Sequence, residues 1–368
     1  MLQLLLGGSG SGKTTLLYQR IRARAEKGEK SILLVPEQFT SSTEGRIYRE
    51  LGDALSGMVE SFSFTSLAEK ILSTEGGAAV QTLSDAGRAV LVRRALEELQ
   101  DNVRYYHRHR RSAAFCQMAA QTIDELKSAG LSGQQLAQLA GACGAESGKL
   151  SELALIFQGY ETLLARSGMD PSDRLELAGA RLEEALARHS LPEFLRDRAV
   201  FIDEFDTFNA PKKRLLGAML AALPSVTVAL CDDGAPLLPG DLSLFSGAKQ
   251  VTAQLRQLAR KNGAEVAVPQ LLRKDLRHRN APGLAAVAEL LETGSCTADA
   301  PAGEVRLFAA PSREEEARAA AGAIRRLMRQ GVRCGKIAVV CRDIAKYRAA
   351  VRYEFRMAEI PLYCDEPT

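Results

Sequence analysis

The chain has 368 residues, 46% of them hydrophobic and 25% charged, close to the globular average and incompatible with a mostly disordered chain. Forty-eight basic residues against 45 acidic ones leave a net charge of +3, so local clustering rather than bulk charge must decide any nucleic-acid role. At about 150 residues per domain, two or three domains are expected.

The chain opens strand, glycine loop, helix, strand. Leu2 to Leu6 is a short apolar run, and Thr14 to Glu26 has helical composition with Leu16, Leu17 and Ile21 as its apolar positions. Gly28 is a natural stop, and Ile32 to Val35 is a second strand ended by Pro36. Strand, helix and strand in so few residues make a βαβ unit and imply a parallel sheet. From Leu67 the pattern turns almost wholly helical, with segments at Ala86–Gln100, Ala113–Ala129, Leu150–Ser167 and Arg174–His189. Strands return at Ala199–Ile202 and Val226–Leu230, with helices at Pro211–Ala222 and Gln250–Asn262. The small-residue stretch Gly294–Gly303 reads as a linker. After it a second α/β unit begins: strand Val305–Phe308, helix Arg313–Gln330, strand Ile337–Cys341, helix Ala345–Ala358. The expected domains are 1–66, the first part of a P-loop core; 67–195, an inserted helical subdomain; 196–293, the rest of the core; and 304–368, the start of a second, similar domain. No closing helix follows, so the chain reads as part of something longer.

Gly7-Gly8-Ser9-Gly10-Ser11-Gly12-Lys13-Thr14 matches G-x-x-x-x-G-K-[ST] between the first strand and first helix. In that position glycines let backbone N–H groups wrap a phosphate. Lys13 reaches the β- and γ-phosphates, and the Thr14 hydroxyl holds Mg²⁺. Gly7 through Thr15 are therefore the expected ATP contacts. Ala199–Ile202 then ends in Asp203-Glu204. The first acid is expected to support Mg²⁺ and the second to polarise an attacking water, with Lys13 and Glu204 as the catalytic pair. A small-molecule P-loop kinase must exclude water, so this pair favours a motor-type ATPase over a kinase.

These residues carry a resemblance. Asp203-Glu204-Phe205-Asp206-Thr207 resembles motif II of superfamily 1 DNA helicases with one residue missing. Ile32–Phe39 stands where motif Ia lies, Ser61–Phe64 resembles the segment after it, and Ala338–Arg342 resembles the strand opening the second motor domain. Leu276-Arg277-His278-Arg279-Asn280 resembles motif IV, which makes Arg279 the expected contact to γ-phosphate. The early GGSGSGKT, VPEQF and late IPLYCDE together look most like the AddB subunits of bacterial AddAB helicase–nucleases. The resemblance implies a RecA-like α/β fold with a large helical insertion and the start of a second RecA-like domain. It also implies ATP and Mg²⁺ as cofactors, DNA ends or single strands as substrate, an AddA-type subunit as partner, and recombinational repair of double-strand breaks. No glutamine motif precedes the phosphate loop. Cys231-Asp232-Asp233-Gly234 stands where motif III carries a glutamine, and none is present. That keeps open a second reading, an ATP-binding DNA-recognition scaffold that hydrolyses little; an unrelated P-loop kinase is the third. The family's nuclease domain and iron–sulfur cysteines are expected beyond Thr368.

Arg104-Tyr105-Tyr106-His107-Arg108-His109-Arg110-Arg111 is the densest basic segment, and its aromatic interleaving suits single-stranded DNA. Lys212-Lys213-Arg214 reads as a solvated face, and Arg325, Arg326 and Arg329 as the polar side of an amphipathic helix. The four histidines show no metal-ligand spacing. Seven cysteines without a Cys-x-x-Cys pair argue against a disulfide scaffold or zinc ribbon and suit a reduced, cytoplasmic setting. No apolar run nears the roughly 18 residues that span a bilayer, so no membrane role is expected. Met1–Leu6 lacks the flanks of a signal peptide.

Overall fold

The structure, a computed structural model, describes residues 1–79, 81–99, 102–109, 111–144, 147–295 and 304–365. The chain divides into two compact units, Met1–Ala298 and Asp299–Thr368. Most of the expected linker, 296–303, lies outside the described residues.

In the first unit the elements run β1 (Leu2–Gly7), α1 (Lys13–Ala25), β2 (Ser31–Leu34), α2 (Thr40–Leu51), α3 (Asp53–Ser56), β3 (Val59–Phe62) and α4 (Phe64–Glu75). Helices α5 (Asp85–Glu98), α6 (Ala113–Ser128), α7 (Gly133–Ala140), α8 (Ser147–Ser167) and α9 (Pro171–Ala187) follow. The chain then returns through β4 (Ala199–Ile202), α10 (Ala210–Ala222), β5 (Ser225–Cys231), α11 (Ser246–Lys261), β6 (Gln270–Leu272) and α12 (Pro282–Thr293). The six strands form one sheet in the order β3-β2-β4-β5-β1-β6, and every pairing is parallel, with Leu4 opposite Val228 and Ile32 opposite Val200.

A parallel sheet covered on both faces demands near-continuous apolar strands. LQLLLG, SILL and AVFI meet that demand. The two-residue period of a strand sends alternate side chains to opposite faces. Leu4, Leu6, Ile32, Leu34, Val200, Ile202, Val226 and Val228 face one core, filled by α4, α9, α10 and α11 through Phe64, Leu67, Leu182, Leu216 and Leu255. Leu5, Leu33, Val35, Phe201 and Ala229 face the other, filled by α1 and α2 through Leu17, Ile21 and Ile47. Strands β3 and β6, which the sequence did not announce, extend the two edges.

The helical stretch is not uniform. Helices α4 and α9, at its two ends, bury against the sheet. Helices α5, α6, α7 and α8 close round a separate core that includes Val92, Leu96, Ile123, Leu136, Phe157 and Tyr160. A buried polar knot joins the two regions. Lys127 donates to Asp170 at 2.8 Å and to Asp173 at 2.9 Å, and the Tyr160 hydroxyl donates to Asp170 at 2.6 Å.

The second unit contains α13 (Arg313–Arg329) and α14 (Ile344–Met357), packed through Ala321, Ile324, Phe355 and Ile360. The strands expected over 305–308 and 337–341 are not formed; no strand occurs among the described residues of this unit. Leu307, Phe308 and Val340 stand exposed. β-branched and apolar runs supply strand propensity, but a strand exists only when a neighbour takes its hydrogen bonds, and these two segments do not pair with each other. Among the described residues no helix is long and apolar enough to cross a membrane.

Candidate active site

Because all strands are parallel, their carboxyl ends share one edge, where open α/β sheets bind ligands. Strand β1 ends at Gly7 and leads into the glycine loop; β4 ends at Ile202 and leads into Asp203; β5 runs between them. The loop closes at Gly12, which caps α1 in the left-handed conformation with no side-chain cap. The first-turn amides of Lys13, Thr14 and Thr15 thus remain open at the positive end of a 13-residue helix. Lys13 Nζ curls over the loop and donates to the carbonyls of Gly7 and Gly8, both at 2.8 Å.

Across the cleft, Asp203 is only 6% exposed. Its Oδ1 accepts the Glu204 N–H at 3.0 Å, and the Thr14 hydroxyl bonds to the same carboxylate. Burial pushes the Asp203 carboxyl above its ordinary range; Thr14, the Glu204 amide, Arg46 and Lys13 pull the other way and do not fully offset it. Glu204 has φ of +64°, a backbone conformation costly for a non-glycine residue and concentrated at functional sites. Burial and then the Asp203 charge raise its carboxyl, and Arg46 opposes them. The cleft between loop and acids holds about 640 Å³. Its walls include Ser9, Gly10, Gly12, Lys13, Thr14 and Thr15 together with Asp203 and Glu204, so residues almost 200 positions apart converge on one cleft.

Thr14 and Asp203 present hard oxygen donors in mutual contact, a donor set that suits Mg²⁺. Among the described residues no group of three or more His, Cys, Asp or Glu side chains is assembled to hold a metal by itself.

Arg279 is exposed and is not among the residues lining the cleft. Arg277, two positions earlier, lines it and donates to Ser9 Oγ at 3.0 Å. Its segment is seated on the loop. The Leu276 amide donates to the Gly10 carbonyl at 3.0 Å, and Asp275 accepts from the Arg277 and His278 amides, each at 3.0 Å. Sequence reasoning also missed Arg46, on α2, which borders the cleft with its guanidinium carbon 4.9 Å over the Tyr18 ring. The one hint was its place beside Thr43 and Ile47 on the buried face of α2.

Asp232 and Asp233, at the motif III position, are committed to the loop itself. Asp232 accepts from the Thr252 hydroxyl at 2.7 Å and the Gly234 amide at 2.8 Å, and Asp233 pairs with Lys249 at 3.2 Å. The expected solvated face at Lys212–Arg214 is engaged in part, with Arg214 still exposed. Lys212 lies over the rings of Phe64 and Phe205, and Arg214 bridges Glu176 and Glu183 of α9. Its position on α10 against α9 puts those partners within reach, which composition alone does not reveal. In the basic segment, the buried Glu152 carboxylate accepts the amides of Arg104, Tyr105 and Tyr106, and Tyr106 stacks on Phe115 at 5.3 Å. One of the two tyrosines thus serves packing, while Arg104, Arg108 and Arg111 are exposed; Arg110 lies outside the described residues.

The family model "ADDB, N-terminal" matches residues 4–288. Proteins named as the B-type subunit of an ATP-dependent helicase/deoxyribonuclease are similar over 99% of this chain: 34% identical in Desulforudis audaxviator, 33% in Symbiobacterium thermophilum and 32% in Moorella thermoacetica. The chain spans 32% of the length of each of these relatives. With that match over most of its length, the chain belongs to the AddB N-terminal family.

Proposed function

We propose that this chain is the N-terminal, ATP-binding, helicase-like part of an AddB-type protein, built on a RecA-like P-loop core. Its substrate would be DNA ends or single strands and its partner an AddA-type helicase–nuclease, in cytoplasmic repair of double-strand breaks. The observation that carries the reading is the convergence of the glycine loop with Thr14, Asp203 and Glu204 in one cleft. In this reading the first-turn amides of α1 and the Lys13 ammonium bind the phosphates. Thr14 and Asp203 hold Mg²⁺, which when bound neutralises charge on the phosphate oxygens. Glu204, fixed by its own left-handed backbone, orients a water and accepts its proton. The names of the relatives favour this reading over an unrelated kinase.

A second reading, a nucleotide-binding scaffold with little turnover, draws support from Asp232 and Asp233. Both are spent on anchoring their loop, and no glutamine stands there to link nucleotide to DNA. Steady-state Mg-ATP hydrolysis with and without single-stranded DNA separates the two. In an ATPase, Glu204→Gln lowers turnover about 100-fold or more while ATP still binds. In a scaffold, the unmutated chain turns over at the background rate and the substitution changes nothing. Turnover well above background that survives Glu204→Gln would remove Glu204 from the mechanism.

A further inference from the structure

Three cations line the cleft, and two already have polar partners. Lys13 donates to the carbonyls of Gly7 and Gly8, and Arg277 donates to Ser9. Arg46 differs. It is half-buried on α2, its guanidinium lies on the Tyr18 ring, and it makes neither a hydrogen bond nor a close ion pair among the described residues. A guanidinium held against an aromatic face by cation–π attraction keeps its N–H donors for a second partner, one way arginine is presented to a phosphate. The Arg46 nitrogens are not sealed from solvent, so a ligand in the cleft can supply their acceptor.

The surroundings locate that ligand. A smaller cavity of about 270 Å³ adjoins the cleft, and Thr14, Arg46, Asp203 and Glu204 border both spaces. Ser9, Gly10 and Lys13 border only the larger one. Arg46 therefore stands at the end where Thr14 and Asp203 meet, opposite the end closed by Ser9 and Arg277. In a phosphate loop the amides cradle the inner phosphates, and the metal end is reached by the outermost one. Arg46 makes no hydrogen bond to Asp203, whose carboxylate is held by Thr14 and the Glu204 amide; the attraction between the Arg46 charge and the two acids keeps the guanidinium at this end of the cleft.

We infer that Arg46 is the residue by which this site distinguishes a nucleoside triphosphate from a diphosphate, through direct contact with the terminal phosphate. The inference rests on the nucleotide reading of the cleft and deepens it: Lys13 serves both ligands, Arg46 only the longer one.

Equilibrium binding of a non-hydrolysable ATP analogue and of ADP, each with Mg²⁺, to the full chain tests it. Arg46→Ala should weaken the triphosphate by about 10- to 100-fold, the loss of charge-assisted hydrogen bonds, and ADP by less than about threefold. Arg46→Lys, which keeps the charge without the fork, should recover part of the loss and guards against a folding artefact. Tyr18→Leu should give a smaller loss of the same sign by removing the stacking platform. Lys13→Ala should weaken both ligands. If Arg46→Ala weakens ATP and ADP equally, or leaves both unchanged while Lys13→Ala abolishes binding, the inference is overturned and the nucleotide site stands. If neither nucleotide binds in a Lys13-dependent way, the nucleotide reading and this inference fail together.

Discussion

Replacing Gly10 by alanine tests whether the 275–278 segment is seated on the glycine loop. Gly10 has φ of +79°, a conformation that costs an L-residue about 1–2 kcal/mol. A Cβ there would lie 2.6 Å from Arg277 Cβ and 3.1 Å from Asp275 Oδ1. Non-bonded carbons pack at about 3.5–4.0 Å, so the neighbour must retreat by about 1 Å. Arg277 Cβ is not the free end of a flexible chain. Its backbone is tied by the Leu276–Gly10 hydrogen bond and by Asp275, which holds the amides of Arg277 and His278. Relief therefore takes the form of overpacking or of losing those bonds, about 1–3 kcal/mol. The total expected loss is about 2–5 kcal/mol. Gly28 supplies an internal control. Its φ is +76°, but an added Cβ meets nothing within 4 Å, so Gly28→Ala should cost only the conformational share, about 1–2 kcal/mol. Equilibrium urea unfolding followed by far-UV circular dichroism measures both. The double variant Gly10→Ala with Arg277→Gly removes the opposing Cβ and should recover the contact share. A Gly10→Ala loss no larger than that of Gly28→Ala would refute the seating of this segment on the loop.

Two further predictions concern the charge networks. Lys127→Met leaves Asp170, which is 1% exposed, without its cation and should cost about 3–5 kcal/mol in thermal unfolding, with Asp170→Asn added to it restoring part; a loss below about 1 kcal/mol would contradict the buried pairing. Burial opposes the Lys127 charge, but Asp170 and Asp173 outweigh it and raise the ammonium above its ordinary pKa. Its contribution is thus full below the unfolded value near ~10.4 and is lost as pH rises through the higher folded value. Asp241 is pushed down to about 2 by hydrogen bonds from Ser243 and then by Lys249. Its contribution is therefore present above the unfolded value near ~3.9 and lost as pH falls toward the folded one. Carboxyl carbon NMR should show its midpoint near 2; an ordinary midpoint would mean that the turn from Asp241 to Ser243 is not formed.

Local pattern carried much of the architecture. The apolar runs at Leu2–Leu6, Ala199–Ile202 and Val226–Leu230, and Ile32–Leu34 of the run to Val35, lie in strands, because strands buried on both faces must be apolar at nearly every position. The glycine loop and Asp203-Glu204 were legible as motifs for the same kind of reason: a tight turn between strand and helix, and paired carboxylates at a strand end, show in residue type and spacing. What the chain could not announce is whatever depends on a neighbour distant in sequence. Val305–Phe308 and Ile337–Cys341 have strand composition but find no ladder partner, since pairing is a property of two segments and propensity of one. Lys212 and Arg214 look like surface charge until α9 and two phenylalanine rings are placed beside them. The cleft's basic residues were settled the same way. Arg277 rather than Arg279 faces Ser9 because of how one turn anchored by Asp275 is directed, and Arg46 enters the site only because α2 packs over Tyr18. Sequence determined which residue types the loop and the acids carry; tertiary packing decided which arginines reach them, because side-chain direction at a cleft is fixed by contacts among elements and not by the order of residues within one.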